Sequence, residues 1–346
     1  MNVHTLNPLT DRRWDDLVAH HPSASVFHER GWLESLALTY GYEPFVMTTA
    51  PSGKPLENGI AMCRIHSWLT GSRIVSLPFS DHCQPLLCDS EEIEEFIQWA
   101  QKACAVQSCR YVEFRPISLA LDRNGQMRAS SSYWFHELHL GAGLENIFRG
   151  LHKNSFQRKI RRAEREGIKS EVGRSDRLLD AFYRLLLQTR KRHHLVPQPK
   201  SWFRNLVKCL GESLEIRVAR KNELPVAAIL TLRHGSTVVY KYGCSDQNFH
   251  HLGAMPFLIW KLIEESSSAG VQKIDFGRTA TDNLGLTVFK DRLGADKSSL
   301  IYYRYAKTSR RGGAAVFDSP FLRQLFGVLP ENVRATTGKL LYRHLG

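Results

Sequence analysis

Apolar and polar positions change period many times along this chain, and each change marks an element. Apolar residues at helical spacing predict a helix over 11–19 with Thr10 as its N-cap. A second helix is predicted over 27–40, stopped by Gly41. Apolar runs predict strands at 44–49 and 59–65, parted by the turn-rich PSGKPLENG, and a third at 73–77. Ser90 is read as the cap of a helix reaching Val106, followed by a buried strand at 111–115 and another at 134–140. The stretch 144–166 is helical but broken near Gly150. Beyond it come a strand at 168–172, a helix capped at Ser175 and reaching His193, and a helix from Ser201. A meander follows at 214–219, 226–232 and 237–242, then a helix with Pro256 in its first turn, where the missing N–H costs nothing. A strand at 273–276, a short helix over 286–293 and a strand at 300–304 close the pattern.

The second half of this list echoes the first. RIVSLPFSD, EEFIQWAQKA and YVEFRP in one half match TVVYKYGCSD, PFLIWKLIEE and KIDFGR in the other. Each set is a strand ending in Ser-Asp, a helix with one Trp, and a short strand with an acid before Phe. The paired acids Asp81/Asp246 and Glu113/Asp275 keep almost the same separation, far longer than a solenoid repeat. The echo predicts two copies of one domain in a mixed-sheet α/β (α+β) fold. A doubly wound nucleotide fold is excluded, because no strand leads into GxGxxG.

Composition agrees with a chain of 346 residues that is 42% hydrophobic and 23% charged, enough for two cores. No apolar run approaches the ~18–20 residues of a membrane span. The N-terminus is polar and acidic, unlike a secretory signal or transit peptide, so a cytoplasmic location is expected. Seven cysteines without CxxC spacing predict buried or inert thiols and no metal site. The net charge of +13 changes the picture more, because of where it lies. Lys153, Arg158, Lys159, Arg161, Arg162 and Arg165 face Glu164 alone, while Phe156, Ile160 and Ala163 share another helix face. A solvated connecting helix is the plain reading; a grip on phosphates, from coenzyme, tRNA or anionic lipid, is the functional one. Residues 307–346 are basic as well and carry short apolar patches, which suits peripheral contact with the inner face of a membrane.

The strand order, the helix KNSFQRKIRRAEREGI, the IDFG strand and VFKDRLGA resemble the GNAT acyltransferase superfamily. They look most like its FemAB-related branch and the BioF2-like acetyltransferase domain, over roughly residues 25–305. The resemblance implies two tandem GNAT-like domains packed around a cleft. These are an N-terminal one over 1–142, basic connecting helices over 143–167, a C-terminal one over 168–306, and the basic extension. It further implies transfer of an acyl or aminoacyl group to an amine of a cell-envelope precursor or polysaccharide intermediate. The donor, acyl-CoA or aminoacyl-tRNA, would lie where strands 237–242 and 273–276 part, with backbone N–H groups polarising its carbonyl. Its phosphates would sit at the next helix N-terminus, where His250, Gly253, Ala254 and Arg278 are the candidates. QNFHHLGAMPF departs from the GNAT pattern Q/R-x-x-G-x-G/A there, which puts use of coenzyme A in doubt.

For catalysis the candidates are Lys290, which would stabilise developing negative charge, Asp275 as a buried general base, and Tyr242 as a proton donor. Each has a plainer reading: Tyr242 as a core tyrosine, Asp275 as a buried acid paired with Lys241 or Arg278. Asp81 and Asp246 are read either as turn caps or as substrate ligands, and His82, Arg115, Lys153, Arg158 and Lys241 complete the substrate-binding candidates. Transfer chemistry is expected in the second copy, since the first lacks a counterpart of VFKDRLG. The alternative is a non-catalytic GNAT-like module that binds a polyanion, tRNA or anionic lipid, through the basic helix.

Overall fold

The computed structural model describes residues 3–106, 109–121, 125, 127–306 and 341–344. Two compact units emerge from them. One comprises the described residues of Met1–Ser132, Lys208–Leu210 and Leu300–Gly346; the other comprises Tyr133–Val207 and Gly211–Ser299.

In the first unit the strands are β1 (His4–Leu6), β2 (Glu43–Thr48), β3 (Ile60–Ile65), β4 (Arg73–Ser76) and β5 (Val112–Phe114), with helices α1 (Arg13–His20), α2 (Arg30–Tyr40) and α3 (Ile93–Val106). The chain continues through β6 (Arg128–His139), α4 (Leu144–Gly150), a π-helical turn (Lys153–Gln157), α5 (Arg158–Arg165), β7 (Lys169–Gly173), α6 (Asp176–Arg192) and α7 (Lys200–Leu210). Then come β8 (Leu214–Lys221), β9 (Leu224–His234), β10 (Thr237–Ser245), α8 (Ala254–Ser268), β11 (Lys273–Ala280), α9 (Leu284–Asp291) and β12 (Asp296–Tyr305).

The two units repeat one plan. In the first, β2, β3 and β4 form an antiparallel meander, α3 crosses over, and β5 returns parallel to β4. In the second, β8, β9 and β10 form the meander, α8 crosses over, and β11 returns parallel to β10. Each plan is completed by an antiparallel strand from the other half of the sequence. Tyr303 on β12 pairs with Phe114 on β5, and Ile274 on β11 pairs with Leu138 on β6. This exchange is why the units do not divide at residue 142, and why the helices over 143–167 fall inside the second unit. Helices supply the other side of each core: Phe96, Ile97 and Ala100 of α3 in the first unit, Phe257, Leu258 and Ile263 of α8 in the second.

Several local expectations are corrected. Thr10 does not cap α1; Asp11 Oδ1 accepts the Arg13 N–H at 3.1 Å instead. Asp89 caps the turn before α3, accepting from the Glu91 N–H at 3.0 Å, while the Ser90 side chain, the expected cap, lies outside what is described. Residues 128–133 extend β6 although Ser-rich and polar. Cys104 and Cys109 are joined as a disulfide, where unpaired thiols were expected. The basic extension lies outside the described residues except at 341–344, where Tyr42 and Arg73 donate to the carbonyls of Tyr342 and His344.

Candidate active site

β10 and β11 run side by side only from Thr237/Lys273 to Val239/Asp275. Both then break register with their other neighbours: β10 bulges against β9 between Tyr240 and Tyr242, and β11 shifts against β6 between Asp275 and Arg278. A bulge bends and twists its strand. Two of them at matched heights part the parallel pair.

Asp275 and Lys290 build this parting. Asp275 is 2% exposed, and its Oδ1 accepts the Gly277 N–H at 2.5 Å, fixing the turn of β11. Lys290, on α9 and 4% exposed, donates to the carbonyls of Gly277 at 3.0 Å and Arg278 at 3.2 Å. The two candidates thus meet through one dipeptide. The Arg278 side chain is engaged elsewhere, its guanidinium 4.3 Å from the Tyr133 ring centre.

Beside the parting is a cavity of about 390 Å³ within the second unit. Its wall is apolar where β9, α8 and α9 supply Val226, Ala227, Met255, Val288 and Phe289. Its cations are Lys159 and Arg292, His250 adds an imidazole, and no Asp or Glu is found among the described lining residues. His250 Nε2 lies 2.8 Å from Ser245 Oγ, and Arg192 donates to the Ser245 carbonyl at 3.1 Å. Burial, and then the nearby Arg192 and Lys159 charges, lower the pKa of His250 and favour its neutral form. The Tyr240 hydroxyl points across Gly243, where a Cβ would strike it, to the Met255 sulfur at 3.6 Å. Burial pushes its pKa up, so the phenol keeps its proton. A hollow of about 490 Å³ in the first unit is less suited to an anion, since Arg13 on its wall is ion-paired with Asp11.

Gly253 occupies the left-handed region at φ +78°, and the Lys159 carbonyl lies where its Cβ would be. The close approach a glycine permits is therefore taken by the α5 backbone. Pro256 also removes one N–H from the first turn of α8. At this end of α8 the cavity is lined by the side chains of Lys159, Arg292 and His250, with Ala254 on the wall.

The remaining candidates separate. The Tyr242 hydroxyl is buried, accepting from Trp202 Nε1 at 3.0 Å and donating to Gln198 Oε1 at 2.7 Å, away from the cavity lining. Asp246 caps the turn after β10, accepting the Asn248 N–H at 2.9 Å. Lys241 is the residue the bulge passes over, with its ammonium 5.8 Å from the Tyr242 ring centre. Lys153 and Arg158 are exposed. In the first unit, the Asp81 carbonyl accepts from the Tyr302 hydroxyl at 2.6 Å, and His82 packs edge-on against Phe27. Arg115 and Arg304 both bind buried Glu113, at 2.9 and 2.6 Å. Burial acts to raise the pKa of Glu113, but the two guanidiniums overcome it and hold the acid below its usual range. The counterpart of Asp275 is thus neutralised by cations.

One pair escaped sequence reasoning. His136 is fully buried on β6, with Nε2 3.1 Å from Asp291 Oδ1 on α9, and Lys297 binds the other carboxylate oxygen at 3.3 Å. His136 Nδ1 has no hydrogen-bond partner among the described residues. Its partner lies 155 residues away, so no local motif announces it. Lys159 and Arg292 were visible only as charges in the basic helix and in VFKDRLG. Among the described residues no cluster of His, Cys, Asp and Glu is placed to hold a metal ion.

Residues 151–291 match the family model "Acetyltransferase (GNAT) domain". No match to a curated protein was found. Among solved structures, FemX superposes with a TM-score of 0.69 at 14% identity, covering 92% of this chain and 99% of that one. The C-terminal DUF2156 domain of a protein assigned as a lysylphosphatidylglycerol synthetase, from Agrobacterium fabrum, gives 0.56 at 14%, covering 87% and 92%. A tandem GNAT protein from the clavulanic acid biosynthesis pathway gives 0.53 at 10%, covering 90% and 100%. At such identities the structural likeness is one of fold. Residues 151–291 thus resemble a GNAT acetyltransferase domain, and the chain shares its fold with FemX and with a tandem GNAT protein.

Proposed function

We propose that the chain is an N-acyltransferase that moves an acyl or aminoacyl group from a phosphate-bearing donor to an amine of a cell-envelope precursor. The observation that carries this reading is the coincidence of the parted β10/β11 pair with a cavity lined by the cations Lys159 and Arg292 and by His250. An acyl donor of either class, coenzyme A or tRNA, joins a reactive carbonyl to phosphates. The cavity offers an apolar wall for the first and cations for the second. In this reading a backbone amide of the parted strands would polarise the donor carbonyl, where a developing oxyanion needs donors. Tyr240, held protonated beside Met255, can return a proton to the leaving group. The amine must shed a proton, and the neutral His250 is placed to accept one, directly or through water.

The name of one structural neighbour refers to lysylphosphatidylglycerol and that of another to AcCoA, which fits transfer of an acyl or aminoacyl group without choosing the donor. The closure of Gly253 by α5 favours aminoacyl-tRNA, because the glycine loop that would cradle a coenzyme pyrophosphate is filled by protein. The same closure supports a second reading, a non-catalytic module that binds a polyanion. A thermal-shift series separates them. Aminoacyl-tRNA and a set of acyl-CoAs are compared on the native chain and on Lys159→Ala with Arg292→Ala, since a ligand of the folded state raises the midpoint. The reading expects a rise with one donor class, largely lost in the double variant, and transfer of the group to an added amine. Donor binding without turnover on any amine would leave the module reading standing. A rise that the double variant preserves would remove this cavity as the donor site.

A further inference from the structure

α9 is built inside out. A surface helix normally turns its apolar stripe to the core and its charges to water. In α9 the buried side chains are Thr287 and Lys290, while Leu284 is 71%, Leu286 39% and Val288 41% exposed. Lys290 is accounted for by the strand carbonyls it holds. Nothing within the described part of this unit covers the aliphatic side chains. Exposed apolar clusters of this kind mark interaction surfaces.

What surrounds them identifies the partner. Arg292 ends the helix and reaches Ser155 Oγ at 3.1 Å, and the Phe289 ring packs on Phe156 at 5.2 Å. α9 is therefore seated on the segment whose exposed side chains include Lys153, Arg158 and Lys159. Asp291, at the end of α9, is bound by His136 and Lys297, which leaves Asp282 as the exposed acid at the helix start. Aliphatic groups bordered mainly by cations match the boundary between acyl chains and phosphates in an anionic bilayer. RNA would satisfy the cations but not the leucines, since bases stack on aromatic and guanidinium planes. A second copy would bring the same cations against each other.

We infer that the outer face of α9, with the adjoining basic segment, is a docking surface for an anionic phospholipid membrane. Because Val288 and Arg292 also line the cavity, docking would turn its mouth toward the headgroup layer. The inference does not depend on transferase activity.

Flotation of the full chain with vesicles tests it. Binding is expected to phosphatidylcholine vesicles carrying roughly 30% phosphatidylglycerol, weakly to pure phosphatidylcholine, and less as salt rises through the screening range. Leu284→Ser with Leu286→Ser should lower the bound fraction about tenfold or more, with an unchanged melting midpoint because both side chains are exposed. Trp68→Ser, at an 87% exposed tryptophan in the first unit, should leave binding as it was. Vesicle binding that survives the leucine substitutions overturns the inference by placing the contact elsewhere. So does a vesicle-free dimer, seen by light scattering, that the same substitutions dissociate. Equal binding to neutral and anionic vesicles overturns the role of the cations.

Discussion

Lys290 keeps its ammonium inside the fold by donating to two carbonyls of the β11 turn. Truncating it would leave those acceptors without a donor, a loss of about 1–3 kcal/mol each. A Lys290→Ala protein therefore reports on stability as well as on transfer. His136 offers a cleaner reading. Burial, and then the Lys290 charge, lower its pKa, against the opposing pull of Asp291. The unfolded chain thus takes up the proton first as pH falls through ~6.5. Stability contributed by neutral His136 is whole above that value and is lost as pH falls toward the lowered one. The melting midpoint of the native chain should drop between about pH 7 and 5 more steeply than that of His136→Gln. Parallel curves would show that the imidazole contributes nothing to this slope. Neither role was legible in the sequence, where Asp275 and Lys290 stood out as chemistry but their meeting through Gly277 did not. Tyr242 shows the opposite limit: a tyrosine near a strand end looks reactive until Trp202 and Gln198 are seen to claim its hydroxyl.

Among the elements, the parallel pair and its crossover helix could be read directly, because buried strands and an amphipathic helix leave strong periodic signals. The strand ends could not. β10 runs on to Ser245 through Gly243 and Cys244, residues that resemble a turn, and β6 begins in the polar run 128–133. The π-helical turn before α5 was invisible, since one widened turn hardly alters the spacing of Phe156 and Ile160. The close approach of α5 to the start of α8 was also hidden, because at Gly253 it is made by the Lys159 backbone. Gly253→Ala tests that approach. The methyl would meet the Lys159 carbonyl in a conformation that L-residues disfavour, and together these should cost about 2–5 kcal/mol. Urea unfolding measures it, and a midpoint like the native one would mean that the two helices part freely.

The duplication itself was legible, down to the matched acids, yet the halves of the sequence are not the units of the structure. Strand exchange involves pairs such as Tyr303/Phe114, whose members no local pattern connects. Fragments 1–142 and 143–306 should each fail to fold alone, one leaving β5 and the other β11 without its outer neighbour. Mixed together they should recover a soluble complex. Size-exclusion chromatography with circular dichroism reads this, and two independently soluble, folded fragments would count against it. The exchange also fixes the history of the chain. Once each copy came to borrow its closing strand, neither gene half could be deleted, even if chemistry remained in only one. A copy whose acid is held by Arg115 and Arg304 can thus be kept by inheritance of structure alone, and its sequence is free to drift toward a different task.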